Sequence, residues 1–235
     1  LNVQSGVGVT RGYWHYALRA HRYLVPHDDG IVAELAALAA RERLDALACA
    51  EIEGRSVRSS NIDYVTALAQ SSSLAHARFF VTQKLGRLVN QGNSVHSATP
   101  LGATIAHPLP SRGERRVLGE AQLDGAAPWT LFVTHLSLGR RARVEQLREV
   151  ARIVGGRRRA ILVGDFNTSD AAELAPLTAA GLRHCPTPPT YPSWRPQKAI
   201  DHLLTSADVQ VRALRVDETV RLGDHLPIFV ELDSA

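Results

Sequence analysis

The stretch Ile161-Leu162-Val163-Gly164-Asp165-Phe166-Asn167 constrains this chain more than any other. An apolar run leaves the polar turn at 155–159 and stops at an acid, an aromatic and an amide. That is the pattern of a buried strand whose C-terminal end carries polar groups. Side chains alternate along extended backbone, so Asp165 and Asn167 are expected on one side of the strand mouth while Phe166 turns into the core. A carboxylate and a carboxamide placed in this way can orient a water, hold a hard cation or donate to an oxyanion. The same residues can also form an Asx turn that caps a helix at 170.

Companion segments favour the chemical reading. Thr134-His135-Leu136-Ser137 follows a second apolar strand, and Ile200-Asp201-His202 carries an acid inside a third. Gly223-Asp224-His225-Leu226-Pro227 opens a fourth, Cys49-Ala50-Glu51 ends a fifth, and Asn2 lies in the first. This set, in this order between Asn2 and Leu232, resembles the endonuclease/exonuclease/phosphatase superfamily, the DNase I-like metal-dependent phosphohydrolases. The resemblance implies an α/β (α+β) four-layer sandwich, with two mixed β-sheets face to face and helices outside them, as one domain over residues 1–235. The residue pattern by itself says only α/β or α+β.

Taken in order, residues 1–4 read as a short first strand. Tyr13, Trp14, His15 and Tyr16, with His21 and Tyr23 beyond, form an aromatic cluster that suits either half-buried packing or contact with a base, sugar or lipid head group. Residues 31–43 show helical spacing of Ile31, Leu35, Leu38 and Ala39, with Asp28 or Asp29 as the cap. Strands are expected at 44–52, 77–81, 101–109, 115–123, 129–134, 160–164, 209–216 and 227–232. Residues 61–71 and 140–154 read as helices, the second with Val144, Leu147, Ala151 and Val154 on one face and Gly155 as its stop. Asp170 and Glu173 have the spacing of a capping pair, and Pro176 must start a new turn or kink that helix. Residues 185–196 hold too many prolines for a regular element. Gln91-Gly92-Asn93-Ser94 reads as a turn into the next strand, and the 111–116 loop is basic.

The formal charge of +4 and pI of about 9.4 favour an anionic partner only mildly. Arg157, Arg158 and Arg159 precede the 160–164 strand, so they are expected at the opposite end of the sheet from Asp165. No run reaches the ~20 apolar residues of a membrane span. The two cysteines, Cys49 and Cys185, suggest neither a metal cluster nor a disulfide framework and do not set the compartment. The chain starts at Leu1 in strand-like sequence, which suggests a processed or trimmed start. A monomer is expected.

The resemblance also implies roles. Glu51 is the principal Mg²⁺ ligand, with Mn²⁺ able to substitute, and Asn2 and Asp224 lie in the metal's shell. His225 is the general base, oriented by Asp201 rather than by the adjacent Asp224. Asp165 and Asn167 orient the nucleophile and bind a phosphoryl oxygen, and His135 donates to the phosphate or leaving group. Asn93, Arg115 and Ser193 are candidate substrate contacts. Two positions depart from the family pattern. Ala50 stands where Gln usually precedes the Glu, and Gly223 where Ser commonly precedes the Asp-His pair. The leading expectation is a Mg²⁺-dependent phosphohydrolase cleaving phosphodiesters, with nucleic acid as substrate. The alternative keeps the chemistry and acts on a phospholipid, sphingomyelin or inositol phosphate. A binding module without catalysis would lack at least one of Glu51, Asp165 and His225, and none is missing.

Overall fold

The computed structural model describes residues 1–19 and 30–234. His21, Tyr23 and the proposed caps Asp28 and Asp29 lie outside the described residues. In chain order the helices are α1 (Tyr13–Arg19), α2 (Ile31–Glu42), α3 (Tyr64–Ser71), α4 (Arg140–Val154) and α5 (Ala175–Ala179). The strands are β1 (Ala46–Glu53), β2 (His76–Leu85), β3 (Val89–Ser97), β4 (Leu101–Leu109), β5 (Arg116–Leu123) and β6 (Trp129–His135). They continue with β7 (Ala160–Asp165), β8 (Arg183–Cys185), β9 (Asp201–Thr205), β10 (Val209–Val216) and β11 (Ile228–Ser234).

One sheet has six strands in the order β4-β5-β6-β7-β9-β8. It is mixed: β6 and β7 are parallel, joined across α4, and the other pairs are antiparallel. The opposing layer is not the single mixed sheet expected. It is divided into an antiparallel three-stranded ladder, β1-β3-β2, and an antiparallel β10-β11 hairpin. Period-two alternation sorts the six-stranded sheet's side chains between two cores. Val117, Leu131, Val133, Ile161 and Leu203 face inward, against Phe80, Val95 and partly buried residues of the hairpin such as Val211 and Val230. Leu118, Phe132, Leu162 and Leu204 face outward under Leu147, Val150 and Val154 of α4 and Leu177 of α5. A third core joins Ile31, Leu35 and Leu38 of α2 and Val65 and Leu68 of α3 to Cys49 and Ile52 of β1. Helix, sheet, sheet and helix therefore stack as four layers, each interface burying apolar surface that drives the assembly.

Several local expectations need correction. Residues 1–4 do not form a strand. Asn2 makes a single parallel bridge to Ala50, and the chain then enters a 3-10 turn over Gln4–Gly6. The cause is local: the Asn2 carboxamide oxygen accepts the Gln4 N–H at 3.0 Å, and Gln4 and Ser5 adopt φ of +49° and +50°, which ends extension. Residues 91–94 lie within β3 rather than in a turn. On α4 the buried face is carried by Leu147, Val150, Ala151 and Val154 together with Arg143 and Gln146, while Val144 is only half-buried. Asp170 does cap the following 3-10 turn, through Ala172 N–H, but the Glu173 carboxylate is taken by Arg143 and Arg140 of α4. Residues 223–227 form a loop leading to β11.

Gly164 is the tightest point of the six-stranded sheet. Its φ is +155°, and a Cβ there would lie 1.9 Å from the Thr134 carbonyl oxygen of the paired strand. Replacing Gly164 by Ala is expected to force β6 and β7 apart and destabilise the fold by about 2–3 kcal/mol. Chemical denaturation measures this, and an unchanged midpoint would contradict the packing described.

Candidate active site

Pairing register assembles the centre of the site. His135 at the end of β6 pairs with Asp165 at the end of β7, and Asp165 pairs in turn with Asp201 at the start of β9. Three chemically active side chains thus stand in one row across the rim of the six-stranded sheet. The facing layer supplies Glu51 from β1. The β1–β3 register shifts between Cys49 and Ile52, and Glu51 itself has φ of +54°. Such a bulge re-aims a side chain, and here the carboxylate enters the space between the sheets. The 223–227 loop brings His225 and Asp224 to the same place. A cleft of about 770 Å³ is lined by Asn2, Glu51, His135, Asp165, Asn167, Asp224 and His225, with Arg116, Tyr191 and Lys198 around them.

His225 Nδ1 and Asp201 Oδ2 are 2.7 Å apart, and the same oxygen accepts from the Thr190 hydroxyl. His225 Nε2 faces Asp165 Oδ2 at 3.6 Å. The Tyr191 ring packs on the imidazole, with centroids 5.0 Å apart. Burial opposes a charge on His225, but Asp201 and Asp165 outweigh it and raise its pKa to about 10. Burial would push Asp201 up, yet the charge and hydrogen bond of His225 hold it below the ordinary carboxylate value. The pairing with Asp201 rather than Asp224 agrees with the expectation from sequence, though the orientation comes from a loop and not from strand alternation.

Asp165 forms an Asx turn and also lines the cleft, while the cap of the following 3-10 turn is Asp170 rather than this motif. Asp165 Oδ1 accepts the Asn167 N–H at 2.9 Å, and Asn167 sits at φ of +53°. The Asn167 amide donates to Leu136 O at 2.9 Å, which leaves one amide hydrogen for the cleft. Phe166 is buried in the core, as alternation required. Asp165 Oδ2 meets the Asn2 amide at 3.2 Å, and that amide also donates to Glu51 Oε1 at 3.0 Å. The Asn2 oxygen accepts the Gln4 N–H, and its amide links the two acids. Burial raises Asp165 to about 7 despite His225, and it raises Glu51 as well. His135 lies between them, 3.5 Å from Glu51 Oε1 and from Asp165 Oδ2. Burial, with Arg116 and His225 adding to it, holds His135 well below its usual value and therefore neutral.

This donor set fits a hard divalent cation. Two crowded carboxylates are both pushed towards neutrality by burial, while 23% of the Glu51 side chain remains exposed to the cleft. Carboxylate oxygens of this kind are the ordinary ligands of Mg²⁺. Asp165, Asp201 and His225 also offer ligand atoms within 4.8 Å of one another. Within that trio, His225 Nδ1 and Asp201 Oδ2 are already engaged with each other.

Three expected substrate contacts lie elsewhere. Asn93 is buried, with its amide 3.4 Å from Val117 O, and does not line the cleft. Arg115 is exposed, and it is the neighbouring Arg116 that enters the cleft. Ser193 is fully buried, and its hydroxyl donates to Gly223 O at 2.7 Å while its N–H meets Asp224 O at 2.8 Å. It clamps the loop that carries His225. Within the aromatic segment, Tyr13 and Trp14 are 66% and 58% exposed, with ring contacts to Trp194 and His15, and His15 is buried.

Other contributors went unnoticed in sequence. Gln91 on β3 donates to Glu51 Oε2 at 3.3 Å, supplying from the next strand an amide contact that Ala50 cannot make. Its place in the Gln-Gly-Asn-Ser segment was the only signal. Arg58, buried and bonded to Glu53, donates to the Ser5 hydroxyl at 3.1 Å, and Ser5 donates to Glu51 O at 3.1 Å. That chain pins the strained residue. Thr190, eleven residues before Asp201 at the start of the strand it serves, gave no signal at all.

A cleft with buried carboxylates, a His–Asp pair and arginine, at the rim of two stacked sheets, defines a phosphoester hydrolase. The sequence profile of the Endonuclease/Exonuclease/phosphatase family matches residues 2–225, and the chain belongs to that family. Among solved structures it is similar to an endonuclease/exonuclease/phosphatase from Beutenbergia cavernae (23% identity, 91% of this chain and 69% of that one, TM-score 0.71). It is also similar to the mannosyl-6-phosphatase Bt3783 of Bacteroides thetaiotaomicron (15% identity, 96% and 97%, TM-score 0.68). A third is D. rerio TDP2 complexed with single-strand DNA product (18% identity, 90% and 98%, TM-score 0.66). No curated protein matches the chain in sequence.

Replacing Asp201 by Asn removes the charge that holds the His225 proton. In metal-free protein the imidazole of wild type should stay protonated as pH rises through 7 and lose its proton near 10. In Asp201→Asn it should titrate far lower, and kcat should fall by about 10²–10⁴. Nitrogen-detected NMR of the imidazole reads the first effect, and an unmoved titration would refute the pairing.

Proposed function

We propose that the protein is a Mg²⁺-dependent phosphodiesterase acting on nucleic acid by in-line attack of water, with Mn²⁺ able to replace Mg²⁺. The observation that carries this reading is the His225–Asp201 pair, whose free Nε2 opens on the same space as Glu51 and Asp165. Phosphate esters resist attack because their oxygens repel a nucleophile, so catalysis consists mainly of neutralising charge and aligning the water. The divalent cation, when bound, supplies that neutralisation and offsets the crowded acids around it.

The remaining tasks belong to the chain. Glu51 anchors the cation, with Asp165 and Asp224 at its margin, and Asn2 and Gln91 fix the Glu51 carboxylate. The Asp165 charge that helps keep His225 protonated in the metal-free protein is offset when Glu51 and Asp165 hold a cation; the neutral His225 then takes the proton from the attacking water at Nε2 while Asp201 holds the Nδ1–H and stabilises the imidazolium. Asp165 orients that water. The remaining amide hydrogen of Asn167 and a ring N–H of the neutral His135 donate to phosphoryl and leaving-group oxygens. The whole operates as one domain in a monomer. Support for nucleic acid comes from the basic pI and from a fold neighbour solved with a single-strand DNA product. No helix among the described residues is long and apolar enough to cross a membrane.

A second reading, a lipid or inositol-phosphate substrate, is favoured by one feature. Tyr13, Trp14 and Leu18 of α1 are each more than half exposed and could rest on a lipid surface.

Incubation of the protein with Mg²⁺ and supercoiled plasmid separates the readings. Nicking is expected, with loss in EDTA and a fall of at least about 10³ in His225→Ala. Absence of nicking, together with Mg²⁺-dependent release of phosphate from a phospholipid or inositol-phosphate panel, would transfer the assignment to the second reading. Full activity in His225→Ala would remove the mechanism.

A further inference from the structure

Arg116 is buried, with only 6% of its side chain exposed, and it lines the cleft. Its guanidinium is only half used. Nη2 donates to Glu114 Oε2 at 2.9 Å, while Nε is buried with no hydrogen-bond partner among the described residues. A buried donor left unpaired is costly, and the Nε–Nη2 edge of a guanidinium is the edge that matches two oxygens of one phosphate. Arg116, Glu114, Glu51 and His135 line one cleft, so the guanidinium borders the space where the proposed chemistry occurs.

Glu114 lines the same cleft but is far more exposed. It stands on the loop between β4 and β5, its side chain is 42% exposed, and Arg116 is its ion-pair partner. Gly113 beside it has φ of +92° and open space around its Cβ position. The loop base is fixed independently, since the Ser111 hydroxyl accepts Arg116 N–H at 3.0 Å and donates to Leu109 O at 2.9 Å. The Glu114 side chain can thus leave Arg116 for solvent without disturbing the strand.

We propose that Glu114 is a displaceable internal anion: it occupies Arg116 in the free protein and gives way when a phosphate group takes both Nε and Nη2. This rests on the phosphate-ester reading of the cleft and makes Glu114 a determinant of substrate affinity. Exchanging one carboxylate for one phosphate monoanion leaves the charge around Arg116 unchanged, so the net gain comes from the second hydrogen bond and from any second charge on the ligand. The site should therefore bind phosphate dianions more tightly than monoanions.

Calorimetric titration with inorganic phosphate in Mg²⁺-containing buffer tests this. Glu114→Gln should bind phosphate about tenfold more tightly than wild type, close to 1.4 kcal/mol, and the gain with substrate should appear in KM rather than kcat. In the Arg116→Gln background the same change at Glu114 should have no effect. Unchanged or weaker phosphate binding in Glu114→Gln would overturn the proposal, as would an equal gain without Arg116. Phosphate binding is read without turnover, so a failure of the hydrolase reading would show separately, as absence of hydrolysis on every substrate.

Discussion

The register of three strand ends is the constraint on which the rest of the structure depends. β6, β7 and β9 place His135, Asp165 and Asp201 side by side, and a slip of one residue would turn each side chain to the other face. The two cores prevent that slip, because Leu131, Val133 and Ile161 face one layer while Phe132 and Leu162 face the other. Gly164 lets β7 approach β6 just before the acid. Packing thus sets the geometry of the chemistry, and the loops need only deliver His225 and Asp224 to a row already built.

Concentrating acids in this row carries an electrostatic cost. Asp165, Asp201 and Asp224 are buried, and Glu51 stands among them. Buried carboxylates are tolerated when paired, hydrogen-bonded or bound to metal. Asp201 is satisfied by His225 and Thr190, whereas Glu51 and Asp165 share the Asn2 amide, with Gln91 on the second Glu51 oxygen and the Asn167 N–H on the second Asp165 oxygen. Four of the non-glycine residues at positive φ, Gln4, Ser5, Glu51 and Asn167, lie at this place, the others among the described residues being Arg43, Ser60, Asn61 and Arg159. Glu53, Arg58 and Ser5 hold Glu51 from behind. The arrangement is one that a hard cation completes.

The acids and histidines were legible in sequence because each ends or follows an apolar run, and alternation or strand position predicts where such residues point. The His225–Asp201 pairing was likewise legible. What supports them was not. Gln91, Arg58 and Thr190 act through contacts between segments far apart in the chain, and nothing in their own neighbourhoods marks them. Asn2 was expected in the metal's shell from the family resemblance, and its contacts with Glu51, Asp165 and the Gln4 N–H emerge only in the folded chain. Arg115 and Arg116 are identical in type and adjacent, so the inward one could be distinguished only once the strand start was fixed. Ser193 illustrates the same limit: a hydroxyl near the His loop could contact substrate or clamp the loop, and its burial places it in the second role.

The central claim is that Glu51 and its acidic neighbours exist to hold a divalent cation. Calorimetric titration of EDTA-stripped protein with Mg²⁺ addresses it directly, alongside the Glu51→Gln variant. The account predicts saturable binding to wild type and affinity lower by at least about tenfold, near 1.4 kcal/mol, in Glu51→Gln with the fold intact by circular dichroism. Equal affinity in the two proteins, or no binding to wild type at millimolar Mg²⁺, would contradict it.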